Sequence, residues 1–209
     1  MIASVSDILP LVLPHVPGCR DDFASMAVRT AIREFLARSE VWQKTLTAIN
    51  LVASTQAYDL NPDTSAGDEP EIRRVVWAQR TTATSSTGPV IDHRIYTLVG
   101  KVASPYYQFR FHDDHIPTAS VTSGLTVKVV LVPQENTDTV PDFELTRWVD
   151  GIAAKAAAYL KQMPGRRWTD LAGVAIQEDK FRREVASAVK TRIVGHKNVS
   201  LTMQGGRWI

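Results

Sequence analysis

One cysteine, Cys19, is all the thiol this chain has, so neither an internal disulfide framework nor a cysteine-based zinc site is open to it. Long apolar runs are missing too: none approaches the roughly 18 residues that a membrane span needs. Nor does one sign of charge dominate, because 24 Lys and Arg stand against 22 Asp and Glu for a net charge of +2. A basic patch for nucleic acid therefore has to be local. No nucleophile elbow, phosphate-cradling glycine loop, HExxH or EF-hand loop occurs. The N-terminal run "ILPLVLPHVPGC" has the apolarity of a secretion signal, but it has no basic leader, follows Asp7 and is broken by Pro10, Pro14 and Pro17. The expectation is a protein made in the cytoplasm, with no membrane partner. What is present is 44% hydrophobic residues over 209 positions, enough for a sizeable core.

Three parts read differently along the chain. Residues 1–40 predict helices: "SVSDILPLVL" with Ser4 or Ser6 as cap, a turn at "PHVPGC", then "RDDFASMAVRTAIREFLARS" capped by Asp21 and Asp22. The second helix places Ala24, Val28, Ala31, Ile32, Phe35 and Leu36 on one face, with Arg29, Arg33 and Arg38 mostly off it. Over residues 41–133 the period falls to two. "TLTAINLVASTQAYDL" predicts a hairpin, "EIRRVVWAQR" a strand, "PVIDHRIYTLV" a strand or short helix, and "YYQFRF" and "LTVKVVLV" two further strands. In the last two, Tyr107, Phe109 and Phe111, and Leu125, Val127, Val129 and Leu131, alternate with polar residues, which predicts a half-exposed antiparallel layer.

Helix returns over residues 142–195. The first of these helices carries Leu145, Trp148, Val149, Ile152, Ala156, Tyr159, Leu160 and Met163 on its stripe, with alanines elsewhere that let a neighbour approach closely. "PGRRWTD" ends it, and Thr169 or Asp170 caps a last helix whose predicted buried line is Leu171, Val174, Ala175, Phe181, Val185, Ala188 and Val189. The expected class is α+β: N-terminal and C-terminal helices packed as a bundle, an inserted antiparallel β layer, and an extended tail over residues 196–209. That tail is basic, and it ends in "GGRWI", where a lone monomer offers Trp208 and Ile209 no obvious core. Burying those two side chains in a partner contributes roughly 3–6 kcal/mol before the tail's ordering cost.

Chemistry has one candidate, "HDDH", where His112, Asp113, Asp114 and His115 offer two imidazoles and two carboxylates. A solvated hairpin tip has the same composition. Trp42, Trp77, Trp148 and Trp168 lie in or beside predicted elements and read as packing residues.

The runs "LPLVLPHVPGC", "EFLARSEVWQKTL", "INLVASTQAYDL" and "GIAAKAAAYLKQMPGRRWTDL", followed by a long helix and an Arg-Trp ending, together resemble the head-to-tail adaptor (connector) proteins of tailed bacteriophages. The "MPGRRW" corner is the most specific piece of that likeness. The resemblance implies a structural virion protein without cofactor or catalysis. It would form a homo-oligomeric ring, usually of twelve copies, below the portal protein, assembled in the host cytoplasm and placed at the head-tail junction. Double-stranded DNA would pass through it non-specifically. Lys197, Gly205, Gly206, Arg207, Trp208 and Ile209 would then dock to the portal, with the glycines as hinge. The β layer would face the next tail or neck component, and Arg29, Arg33, Arg166, Arg167, Arg182 and Arg183 would lie at subunit contacts or along the channel. Two alternatives stand beside it: a tail-completion protein contacting the tail tube, and a metal-dependent hydrolase using His112, Asp113, Asp114 and His115.

Overall fold

The computed structural model describes residues 2–62, 70–81, 89–100, 107–135, 137–141 and 145–194. The chain runs through β1 (Ile2–Ser4), α1 (Val5–Val12) and α2 (Asp21–Ser39) into β2 (Gln43–Thr45), β3 (Ile49–Leu51), β4 (Ala57–Leu60) and β5 (Glu71–Arg80). It continues through β6 (Val90–Ile91), β7 (Tyr96–Gly100), β8 (Tyr107–Phe111), β9 (Val121–Val132) and β10 (Thr139–Pro141) to α3 (Leu145–Lys161) and α4 (Leu171–Val194). Among the described residues the protein is mixed α and β, four α-helices plus antiparallel sheets.

Local chemistry explains most helix boundaries. Ser4 caps α1 in a capping box: its Oγ accepts from the Ser6 amide, while its own amide donates to Asp7 Oδ2 at 2.9 Å. At α2 the expected caps act differently. Arg20 occupies the cap position without a side-chain bond, and Asp21 and Asp22 sit inside the first turn, where their charge favours the helix's positive end. The same helix stops at Glu40, which turns left-handed at φ 53°.

The helices meet around three aromatic rings. Phe35 of α2 lies 5.7 Å from Trp148 of α3 and 6.2 Å from Phe181 of α4, ring centre to ring centre, and all three are fully buried. α3 is the central element: Trp148, Ile152, Ala153, Ala154, Ala156, Ala157, Ala158 and Leu160 are buried on every side of it. Close approach is real at Gly151, where an added Cβ would stand 2.5 Å from Glu184 Cβ on α4.

Among the described residues the strands form three sheets rather than one layer. One has five strands, in the order β2-β9-β5-β6 with β3 also on β9; another is β4-β8-β7; and β1 pairs with β10. β5 spans the "EIRRVVWAQR" segment as read. The predicted hairpin over "TLTAINLVASTQAYDL" does not form, because β3 pairs with β9 and β4 with β8. Between them Ser54 takes φ 63° and the Tyr58 hydroxyl bonds the backbone of Val52 and Thr55, which turns the chain away into the second sheet. "PVIDHRIYTLV" resolves into β6, a 3-10 turn at His93–Ile95 and β7, so both readings of it apply to different residues. β9 buries Leu125, Val127, Val129 and Leu131 on the predicted face, but Val130 and Val132 are buried too, where α2 comes against the strand's end.

Candidate interaction site

The last helix departs furthest from its sequence pattern. Asp170 caps it, Oδ1 accepting from the Gly173 amide at 2.9 Å. Of the seven residues predicted to be buried, only Phe181 and Ala188 are; Val174, Val185 and Val189 are half-buried, and Leu171 and Ala175 are exposed. α4 leans on the narrow side of α3, which presents small residues such as Gly151, so the contact covers a thinner stripe than the apolar pattern spans. At 100° per residue, Leu171, Ala175, Ala186 and Ile193 fall together on one uncovered flank, about 80–140° round from Phe181. On that flank Leu171 and Ile193 are each 71% exposed, and Arg182 stands between them round the helix; Ile176, equally exposed, lies on another side. Scattered exposed apolar residues are ordinary, but a row of them along one helix marks an interaction face.

A second apolar feature lies on the other helices. Phe23, Met26, Ala27 and Thr30 of α2, with Tyr159 of α3 and Met163 just beyond it, line a hollow of about 230 Å³. Met26 stands 61% exposed at its edge. It also borders a hollow of about 330 Å³ whose other walls are Arg29, Thr30, Arg33 and Glu135.

Two charge clusters fix the helices that carry these surfaces. Lys155 of α3, buried among alanines, places its ammonium 2.5 Å from Glu178 of α4 and 3.4 Å from Glu34 of α2, over the rings of Phe181 and Tyr159. The Tyr159 hydroxyl donates to Glu34; burial and then that hydrogen bond push its pKa well above the usual phenol value. The second cluster is Glu40, which accepts from Arg74 of β5 at 2.6 Å and from Arg192 of α4, tying the five-stranded sheet to the end of the last helix. Hydrogen bonding from Arg74 comes first among the causes that hold the Glu40 carboxyl below its ordinary range. A depressed carboxyl pKa stabilises the fold above the unfolded-state pKa and loses that contribution as pH falls through the folded value. Glu40→Gln is therefore expected to cost about 1–2 kcal/mol at pH 7. The deficit should shrink steadily below about pH 4.5, read from urea titrations of both proteins across the acid range. A deficit that persists unchanged at pH 3 would remove the ion-pair explanation.

The chain matches no protein-family model and no curated protein sequence.

The six arginines singled out by sequence fall into different surroundings. Arg29 is bonded to Asp138 at 2.5 Å, and Arg33 to Glu71 at 2.7 Å with Glu135 at 3.9 Å, so both are neutralised within the chain. Arg166 lies over the rings of Phe23 and Trp168. Arg167 and Arg182 are exposed with no ion pair among the described residues, and Arg183 pairs with Asp179 one turn back. Lys197, Gly205, Gly206, Arg207, Trp208 and Ile209 lie outside the described residues.

His112, Asp113, Asp114 and His115 form an exposed 3-10 turn after β8. His112 Nε2 is 3.0 Å from Thr97 Oγ1, and Gln56 donates to Asp113 at 2.7 Å. Among the described residues no group of three or more His, Cys, Asp or Glu side chains is placed to hold a metal ion. No described helix is long and apolar enough to cross a membrane. Sequence reading missed Lys155, Glu34, Glu40 and Asp138; the one available signal was a lone lysine inside "GIAAKAAAYL".

Proposed function

We propose that this chain is a structural ring subunit of a tailed-phage virion, connecting the portal to the tail and letting DNA pass. The observation that carries the reading is the uncovered apolar flank of α4, Leu171, Ala175, Ala186 and Ile193. The same chain presents a different apolar surface, the hollow at Phe23, Met26 and Met163. Two unlike apolar surfaces on one chain favour head-to-tail association, which closes as a ring when the rotation between neighbours divides a full turn. In this reading α4 of one subunit lies on the α2–α3 hollow of the next. The tail ending in Trp208 and Ile209 supplies the portal contact, gaining strength from repetition around the ring.

The test is binding of purified protein to an isolated portal ring, the full chain against a version ending at His196, with ring formation followed by electron microscopy. The full chain is expected to decorate the portal as a ring and the shortened one to bind at least tenfold more weakly. Equal binding by both would remove the tail from the docking role, and absence of binding by either would overturn the adaptor reading.

A further inference from the structure

We propose that the outward face of α4 is a binding surface for the phosphate backbone of duplex DNA, centred on Lys180, Arg183 and Lys190. With Ser187 between them, these residues recur at i, i+3, i+7 and i+10, one stripe on the side of the helix turned away from Phe181 and Ala188. The stripe rises about 15 Å. One DNA strand carries a phosphate per roughly 3.4 Å of axis, so a stripe of that length lies within reach of about four of them.

The carboxylates of α4 do not neutralise it. Glu178 is taken by Lys155, and Glu184 is packed on Gly151 with its Cβ and Cγ against the glycine. Only Asp179 answers a member of the stripe, and its partner Arg183 still has 79% of its side chain exposed. Among the described residues Lys180 and Lys190 have no carboxylate partner, and from Val185 to Val194 the helix contains no Asp or Glu. The occupant is read from the same residues. No aromatic side chain lies on the exposed arc, Phe181 being fully buried, so there is no platform for the stacked bases of a single strand. Asn and Gln are absent from it as well, the helix's one such residue, Gln177, being half-buried, which leaves phosphate contact without base readout. The basic stripe lies roughly 40–180° round the helix from the apolar flank, so a neighbouring subunit on that flank would leave most of it uncovered.

The inference takes its biological setting from the ring reading, but its test needs no portal. The full chain is titrated against a fluorescent 20-base-pair duplex between 50 and 200 mM salt. A parallel series uses Lys180→Gln/Arg183→Gln/Lys190→Gln, and another Lys197→Gln/Arg207→Gln in the tail. About three phosphate contacts predict log affinity falling with log salt at a slope near −3. The α4 triple variant should lose more than tenfold affinity at 50 mM and most of that slope; circular dichroism should not change, since all three residues are exposed. The tail variant should keep both. A triple variant that binds like the parent, a slope carried by the tail variant instead, tighter binding of single-stranded DNA, or no binding at 50 mM would each overturn the proposal. Portal binding by the triple variant should remain intact, which separates a failure here from a failure of the adaptor reading.

Discussion

Leu171→Asp/Ile193→Asp is expected to abolish ring formation while leaving the monomer's melting temperature within about 2 °C of the parent. Both side chains are 71% exposed and touch none of the Phe35, Trp148 and Phe181 cluster, so the folded monomer loses little. The two positions stand about 33 Å apart along α4, so in an assembly they would place a carboxylate at either end of the apolar flank, and one buried against the neighbour would cost several kcal/mol at each interface. Met26→Asp, on the facing surface, should act alike. Mixing the two variants gives the sharper result. The Met26 variant retains a good α4 flank, the double variant retains a good hollow, and together they can make one productive contact but not a second. Analytical ultracentrifugation should show a heterodimer on mixing, while each variant alone remains monomeric. A symmetric interface built from a single patch would give no such complementation, and rings assembled by either variant would remove these surfaces from the contact.

Lys155→Ala is expected to destabilise the fold by about 3 kcal/mol, because the ammonium that two half-buried carboxylates share is lost, leaving Glu178 without its partner and Glu34 with Arg38 alone. In a chain of this size that corresponds to roughly 6–12 °C in melting temperature. Filling the space is not the remedy: Lys155→Met should cost nearly as much, since Glu178 loses its cation and Glu34 keeps only Arg38, 2.5 Å away. Removing the charges is, and Lys155→Met/Glu34→Gln/Glu178→Gln should return to within about 1–2 kcal/mol of the parent. Calorimetry on the set of four proteins measures this. A Lys155→Ala protein within 1 kcal/mol of the parent would mean that water reaches the cluster and the ammonium is replaceable.

What could be read from the sequence, and what could not, follows from the range of each interaction. The bounds of β5 and α4 and the buried face of α2 depend on residues a few positions apart and stand in the structure as their spacing predicts, and of the two serines offered as the first cap Ser4 takes the place. The β3–β4 hairpin failed because its alternation was right but its partners lie on β9 and β8, more than 45 residues away in each case. The α4 face failed for a related reason. Periodicity shows that Leu171, Ala175 and Phe181 are apolar, not how wide a strip the neighbouring helix can cover. Lys155 is the instructive miss: a cation inside an alanine-rich apolar helix conflicts with its surroundings, and the conflict is resolved only by Glu34 and Glu178, from two other helices. Of the proposed site, the basic character of the C-terminal region was legible and its placement on one exposed helix face was not, since that depends on which side α3 occupies.

The β part begins and finishes at one place. Trp42 accepts from the Leu131 amide at 2.9 Å and Gln43 lies opposite Val130, so ninety residues depart from the helices and come back to hydrogen-bonded neighbours. A segment anchored in that way can be exchanged as a block, provided a replacement reproduces the two adjoining strand ends and the ion pairs of Glu71 and Arg74 with the helices. Related chains would thus be free to recombine the sheets while inheriting the helical part unchanged. A chimaera joined at Gln43 and Val130 is the natural form for such a transplant to take.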